Sequence, residues 1–222
     1  MAPFGTIYTY MPSPRVSKAQ AAANINGLEL AIYPDFAMGK TNRSEEFLAK
    51  FPLGKVPAFE GADGTTLFES DAIAQYIAES GPAAAQLLGA TPAERAKIRQ
   101  WIAYAQCEVL DYVTQLALWR LKVVPYNEAT ETSSLARLER SLGCLETHLK
   151  GRTWFTDGEK ITMADITVAS ALLWGFAMVI DAEMRQKYPV TVAWYERVIE
   201  VDGVKQAFGE KKFVEKRQPY EG

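Results

Sequence analysis

The chain has 222 residues, 48% apolar and 23% charged, the balance of a folded globular protein rather than a disordered or fibrous one. A net charge of −3 without a lysine or arginine block argues against a nucleic-acid surface or a polybasic membrane anchor. Two cysteines, Cys107 and Cys144, with no CxxC motif, argue against a disulfide scaffold or a zinc site and suit a reducing compartment.

The N-terminus lacks a basic region followed by an apolar core, so no signal peptide is expected. In chain order, "GTIYTY" (5–10) reads as a strand. "SPRVSKAQAAANING" carries a helix with Pro14 at its first position and Gly27 just past its end. "LELAI" (28–32) is a second strand, and a polar loop with a short helix near "SEEFLAKF" follows. "VPAFEG" and "TTLF" flank Ala62-Asp63-Gly64 as a hairpin, and "ESDAIAQYIAES" is the next helix.

After Gly81-Pro82 strand patterns vanish. "TPAERAKIRQW" opens with Thr91 as N-cap, Pro92 at the first helical position and Glu94 closing a capping box. Its apolar positions Ile98, Ile102, Ala105, Val109, Tyr112 and Leu116 keep helical spacing. Leu135, Leu138, Leu142, Leu145 and Leu149 form a second stripe. "ITMADITVASALLWGF" starts with Thr162 as N-cap and Asp165 as its capping-box partner, with Ile161 and Ile166 as a hydrophobic staple. The longest apolar run, 168–180, is shorter than the roughly 20 residues of a membrane span and reads as a buried helix. The expected architecture is an α/β domain over 1–81, a linker over 82–90 and an all-helical domain over 91–222. A cytoplasmic protein is expected, without membrane or nucleic-acid partners.

"FLAKFPLGKVPAFEG", "LFESDAIAQYI" and "ITMADITVASALLW" occur in the order and spacing of a glutathione transferase, which the chain resembles from about residue 5 to 215. Within that superfamily it is most similar to the glutathione-transferase-like region of the gamma subunit of elongation factor 1, through "YTY", "GKVPAFEG", "FESDAIA" and "ADITV…LLW". The resemblance implies a thioredoxin-like N-terminal domain that binds glutathione, an all-α C-terminal domain that shapes a second-substrate pocket, and a homodimer. It also implies that the Val56–Pro57 bond is cis, where the sequence alone predicts trans.

Residue chemistry points to the same place. A kink at Val56-Pro57 leaves the Val56 N–H and C=O open to an extended tripeptide, which adds like a strand; the alternative is that Pro57 merely protects an edge. Glu69 and Ser70 stand where a strand turns into a helix, so free N–H groups and the Ser70 hydroxyl suit a carboxylate and Glu69 suits an ammonium. The γ-glutamyl end of glutathione carries both. Simple helix capping by Ser and Asp is the alternative. Lys55 is a candidate partner for the glycyl carboxylate; the alternative is an ordinary solvated lysine.

A transferase must also hold the glutathione thiol as thiolate. A thiol has a pKa near 8.5, and a drop of about two units requires nearly 3 kcal/mol. In theta-like classes a serine four residues before the arginine of the first helix does this; counting back from Arg15 lands on Met11. The remaining candidates are Ser13, which also reads as an ordinary N-cap, Tyr10 at the end of the first strand, which also reads as a core aromatic, and backbone amides over 13–15. Tyr8 shares a strand face with Tyr10.

The resemblance puts the second-substrate pocket beside the first long helix of the second domain, which makes Tyr112 and Trp119 candidate walls for an apolar substrate; the alternative is that they are core aromatics. Cys107 and Cys144 fall in helical stripes and read as small buried residues, and the single histidine, His148, has no partners spaced for a metal, so none is expected. Two functions fit the resemblance. One is an enzyme adding glutathione thiolate to an activated carbon of an apolar electrophile, giving a conjugate or, if addition reverses, cis–trans isomerisation of a double bond. Such stand-alone forms occur in fungal specialised metabolism. The other is a scaffold that assembles with translation-factor subunits. The chain ends at "EKRQPYEG" without the lysine-rich linker of the elongation-factor subunit, which favours the enzyme.

Overall fold

The computed structural model describes residues 2–220. Pro14 and Gly27 bracket helix α1 (Pro14–Asn26). Gly27 adopts φ +67°, and the Leu28 N–H closes the last turn on the Ala23 carbonyl at 2.9 Å, a left-handed ending that glycine adopts without strain. α1 links strand β1 (Gly5–Tyr8) to the parallel strand β2 (Leu30–Ile32). After the short helix α2 (Glu45–Lys50), strands β3 (Ala58–Gly61) and β4 (Thr66–Phe68) form the hairpin around Asp63-Gly64. β3 runs antiparallel to β1, and the sheet order is β2-β1-β3-β4. Helix α3 (Ser70–Glu79) returns across the sheet beside α1, burying Ile73, Ala74, Ile77 and Ala78. This is the thioredoxin-like α/β unit expected of the first part of the chain.

The remainder is helical. α5 (Pro92–Tyr104) runs without a break through a π-helical turn (Ala105–Leu110) into α6 (Asp111–Arg120). α7 (Glu128–Leu149) buries the leucine stripe at Leu138, Leu142, Leu145 and Leu149. α8 (Met163–Met178) is buried along most of its length, and α9 (Ala182–Lys187), α10 (Pro189–Ile199) and α11 (Val204–Phe208) complete the domain. The run from 168 to 180 is therefore core, and no helix among the described residues is long and apolar enough to cross a membrane.

One continuous core joins the two parts. Alanines at 19, 21, 22 and 23 keep α1 slim, so α3, α8 and α11 all approach it. The Ser170 hydroxyl of α8 donates to the Pro14 carbonyl, and Asn24 Nδ2 donates to the Gly203 carbonyl at 2.8 Å. The start of α1 is thus fixed by the helical domain as well as by the sheet.

The stretch 82–90 holds the short helix α4 (Ala84–Leu88), which buries Leu87 and Leu88. Two expectations are corrected. Cys107 and Cys144 are both exposed, because the π turn and the outer face of α7 carry them to the surface. The first strand ends at Tyr8, two residues early, because the chain bends before α1 and leaves Tyr10 40% exposed.

Candidate functional site

The turn before β3 and the start of α3 converge on one cleft of about 200 Å³. Lys55, Val56, Pro57, Glu69 and Ser70 all line it. The Val56–Pro57 bond is cis. Val56 lies before the first residue of β3, and neither its N–H nor its C=O has a hydrogen-bond partner among the described residues. Both remain available to an extended ligand backbone.

The start of α3 does not behave as a capped helix. Glu69 occupies the N-cap position with φ +70° and ψ 116°, and its side chain caps nothing. That conformation is rare for a residue with a Cβ and costs on the order of 1–3 kcal/mol. Ser70 is 7% exposed, yet its hydroxyl has no hydrogen-bond partner among the described residues. Asp71 does not cap either; its carboxylate pairs with Lys18, a fully buried lysine on α1. Burial pulls the Lys18 pKa down while Asp71 pushes it back, so the pair locks α3 to α1 behind the cleft. Simple capping therefore accounts for none of the three side chains.

The cleft carries unpaired polar groups. The Glu69 carboxylate has no partner among the described residues and can take a cation. Ser70 and the α3 N-terminus offer donors for an anion. Lys55 is exposed and in no ion pair among the described residues, so it is free for a second anion.

The other candidates lie elsewhere. Ser13 is the N-cap residue of α1 and 2% exposed; its hydroxyl makes no capping bond, and it does not line the cleft. Tyr10 is outside β1 and does not line the cleft. Tyr8 is held in the sheet: its hydroxyl donates to Glu60 at 2.9 Å and its ring stacks on Tyr33. Burial and that carboxylate push its pKa up to about 12, so it is a poor source of a proton at neutral pH.

Two cleft residues carried no sequence signal as ligands. Arg15, in the first turn of α1, lines the cleft; so does Gln106, which alone comes from the helical domain. Gln106 lies on the π turn, where the Asp111 N–H bonds the carbonyl five residues back. Its side-chain Nε2 also donates to Asp111 Oδ1 at 3.0 Å. Such turns widen a helix locally and often mark functional positions.

A second, more apolar cleft of about 390 Å³ opens beside Pro12, between the ends of α6 and α8 and the turn after α11. Leu121, Leu173, Trp174 and Met178 wall it. Tyr112 and Trp119 do not line it. The Tyr112 ring lies under the Arg137 guanidinium at 5.7 Å, and the Trp119 indole donates to Glu131 at 2.8 Å. Pro12 lines this cleft and Arg15 the first, three positions apart in the chain around the start of α1.

Residues 3–79 match the family described as glutathione S-transferase, N-terminal domain, and residues 108–202 match its C-terminal domain. The chain belongs to the glutathione S-transferase family. It is 52% identical over 221 residues to a glutathione S-transferase-like protein LUC7 of a Fusarium species, covering 100% of both chains. It is 38% identical over 220 residues to elongation factor 1-gamma of Rattus norvegicus, covering 98% of this chain and 49% of that protein. Among solved structures, the GST-like domain of elongation factor 1-gamma from Saccharomyces cerevisiae superposes with a TM-score of 0.83 at 26% identity, covering 99% of this chain and 100% of that one.

Proposed function

We propose that this glutathione transferase binds glutathione in the cleft at Val56 and Glu69-Ser70 and joins it to an apolar electrophile lodged in the neighbouring cleft at Pro12. The observation that carries the reading is the start of α3. A strained Glu69 and an unpartnered Ser70 hydroxyl are kept where a γ-glutamyl group would meet them. Bound glutathione supplies a thiolate nucleophile for an activated carbon, with conjugation or reversible addition and double-bond isomerisation as the outcomes.

The chain's own residues do the remaining work. Val56 pairs with the tripeptide backbone, Glu69 and Ser70 fix its γ-glutamyl end, and Lys55 neutralises its glycyl carboxylate. Leu121, Trp174 and Met178 exclude water around the acceptor, and proximity of the two clefts supplies most of the rate enhancement. The protein works in the cytoplasm as a homodimer on a small apolar substrate, in a setting of specialised metabolism; its likeness to a glutathione S-transferase-like protein of a Fusarium species supports a transferase. The fold match to elongation factor 1-gamma favours a second reading, a scaffold domain among translation-factor subunits.

Calorimetry decides between them. Wild type binds glutathione, and Ser70→Ala loses affinity about tenfold to a hundredfold, the worth of a hydrogen bond to a charged group. Equal affinities, or no binding by wild type, remove the enzyme reading and leave the scaffold.

A further inference from the structure

The cleft holds three charged side chains, Arg15, Lys55 and Glu69, together with the Ser70 hydroxyl and the Gln106 amide. Granting the glutathione reading above, four of the tripeptide's features have partners already. Glu69 takes the ammonium, Ser70 with the α3 N-terminus takes the γ-glutamyl carboxylate, Lys55 takes the glycyl carboxylate, and Val56 takes the backbone. Arg15 and Gln106 remain, and so does the central cysteine side chain. They come from different domains: Arg15 from the first turn of α1, Gln106 from the π turn of the helical domain. Met11, 49% exposed and without a hydroxyl, offers the sulfur nothing.

We propose that Arg15 and Gln106 together hold the glutathione sulfur as thiolate, in place of the serine hydroxyl for which Met11 stands. A guanidinium stays charged at every physiological pH, so it favours the thiolate over the thiol without titrating itself. Gln106 Nε2 has two N–H donors: one is occupied by Asp111 Oδ1, the other is free for the sulfur. Asp111 thereby acts as a positioning residue, orienting the amide so that its N–H rather than its oxygen meets the negative charge. The π turn explains how the helical domain reaches the site. An extra residue in that turn rotates position 106 out of the packed face that Ala105, Val109 and Leu110 occupy. The thiol proton leaves to bulk water, so no general base is required.

The test reads the thiol itself. Difference absorbance of the thiolate gives the pKa of enzyme-bound glutathione, and calorimetry with S-methylglutathione, whose sulfur cannot ionise, gives the strength of the remaining contacts. Arg15→Met raises the bound thiol pKa by about one unit, Gln106→Ala by about half of that, and Arg15→Lys restores most of the first shift. S-methylglutathione affinity changes less than about threefold in Gln106→Ala. Wild type that fails to bind S-methylglutathione overturns the glutathione reading itself. Wild type that binds it, with a thiol pKa moved by Ser13→Ala but not by Arg15→Met or Gln106→Ala, overturns this inference alone. So does a Gln106→Ala variant that loses both ligands equally, because Gln106 is then only a wall.

Discussion

The starts of α8 and α3 use the same kinds of residue for opposite ends. At α8 a threonine and an aspartate are wholly consumed by the fold. Asp165 is fully buried and accepts from the Phe155 N–H at 2.9 Å, Trp194 Nε1 at 3.0 Å, and the Thr162 N–H and Oγ1, both at 3.2 Å. Burial pushes the Asp165 carboxyl up, and those four donors work against the shift. At α3 a glutamate and a serine are left with nothing to bond, the glutamate in a backbone conformation that costs energy. A helix start whose polar groups are all satisfied is architecture. One whose groups are left open, at a cost, points to something outside the chain.

Substitutions at the two starts should separate accordingly. The largest effect is expected for Asp165→Ala, which strands four donors in the core and removes the link between 155, 162 and 194. The loss is on the order of 4 kcal/mol in chemical denaturation, while the fraction that folds keeps its affinity for glutathione. An Asp165→Ala protein as stable as wild type would mean that the buried network contributes nothing. Next comes Asp71→Asn, within α3 itself but behind the cleft. It leaves the Lys18 ammonium buried without its counter-charge, at a cost of about 3 kcal/mol near neutral pH. The folded-state pKa of Lys18 then lies still further below its unfolded value. Above it the unfolded chain binds more protons, so the variant regains stability as pH rises from about 7 to about 9, and denaturation at both values reads this out. A loss independent of pH would show that the Lys18 charge is not its source.

Much of this was legible in the sequence, for a physical reason: the signals were local. The Thr162/Asp165 capping box, the Pro14 and Gly27 limits of α1 and the Asp63-Gly64 turn each depend on a few neighbouring residues, and each is found where the sequence puts it. Lys55, Val56, Pro57, Glu69 and Ser70 could be grouped because two short segments carry all five. Gln106 could not. The apolar spacing of Ile98, Ile102, Ala105 and Val109 is that of an ordinary α-helix, and nothing in it marks the π turn at Ala105–Leu110. Nor does any local pattern reveal that Asp71 faces a buried lysine 53 residues earlier and is thereby removed from capping. The cysteines show the converse: helical spacing places Cys107 and Cys144 in apolar stripes, but the edges of those stripes are wet.

The smallest expected effect is the most discriminating, because its sign differs between stability and binding. Glu69→Gly removes the Cβ that makes φ +70° costly, so the folded state is relieved of strain. Glycine also loses more backbone entropy on folding, which returns part of the gain, leaving a net stabilisation of about 1 kcal/mol. The same substitution deletes the carboxylate assigned to the ammonium of glutathione, and affinity should fall about tenfold or more. Denaturation and calorimetry on one preparation measure both. If stability falls, the positive φ is not a source of strain and the contrast with α8 loses its energetic basis. If stability rises with affinity unchanged, the strain is real but serves something other than the tripeptide.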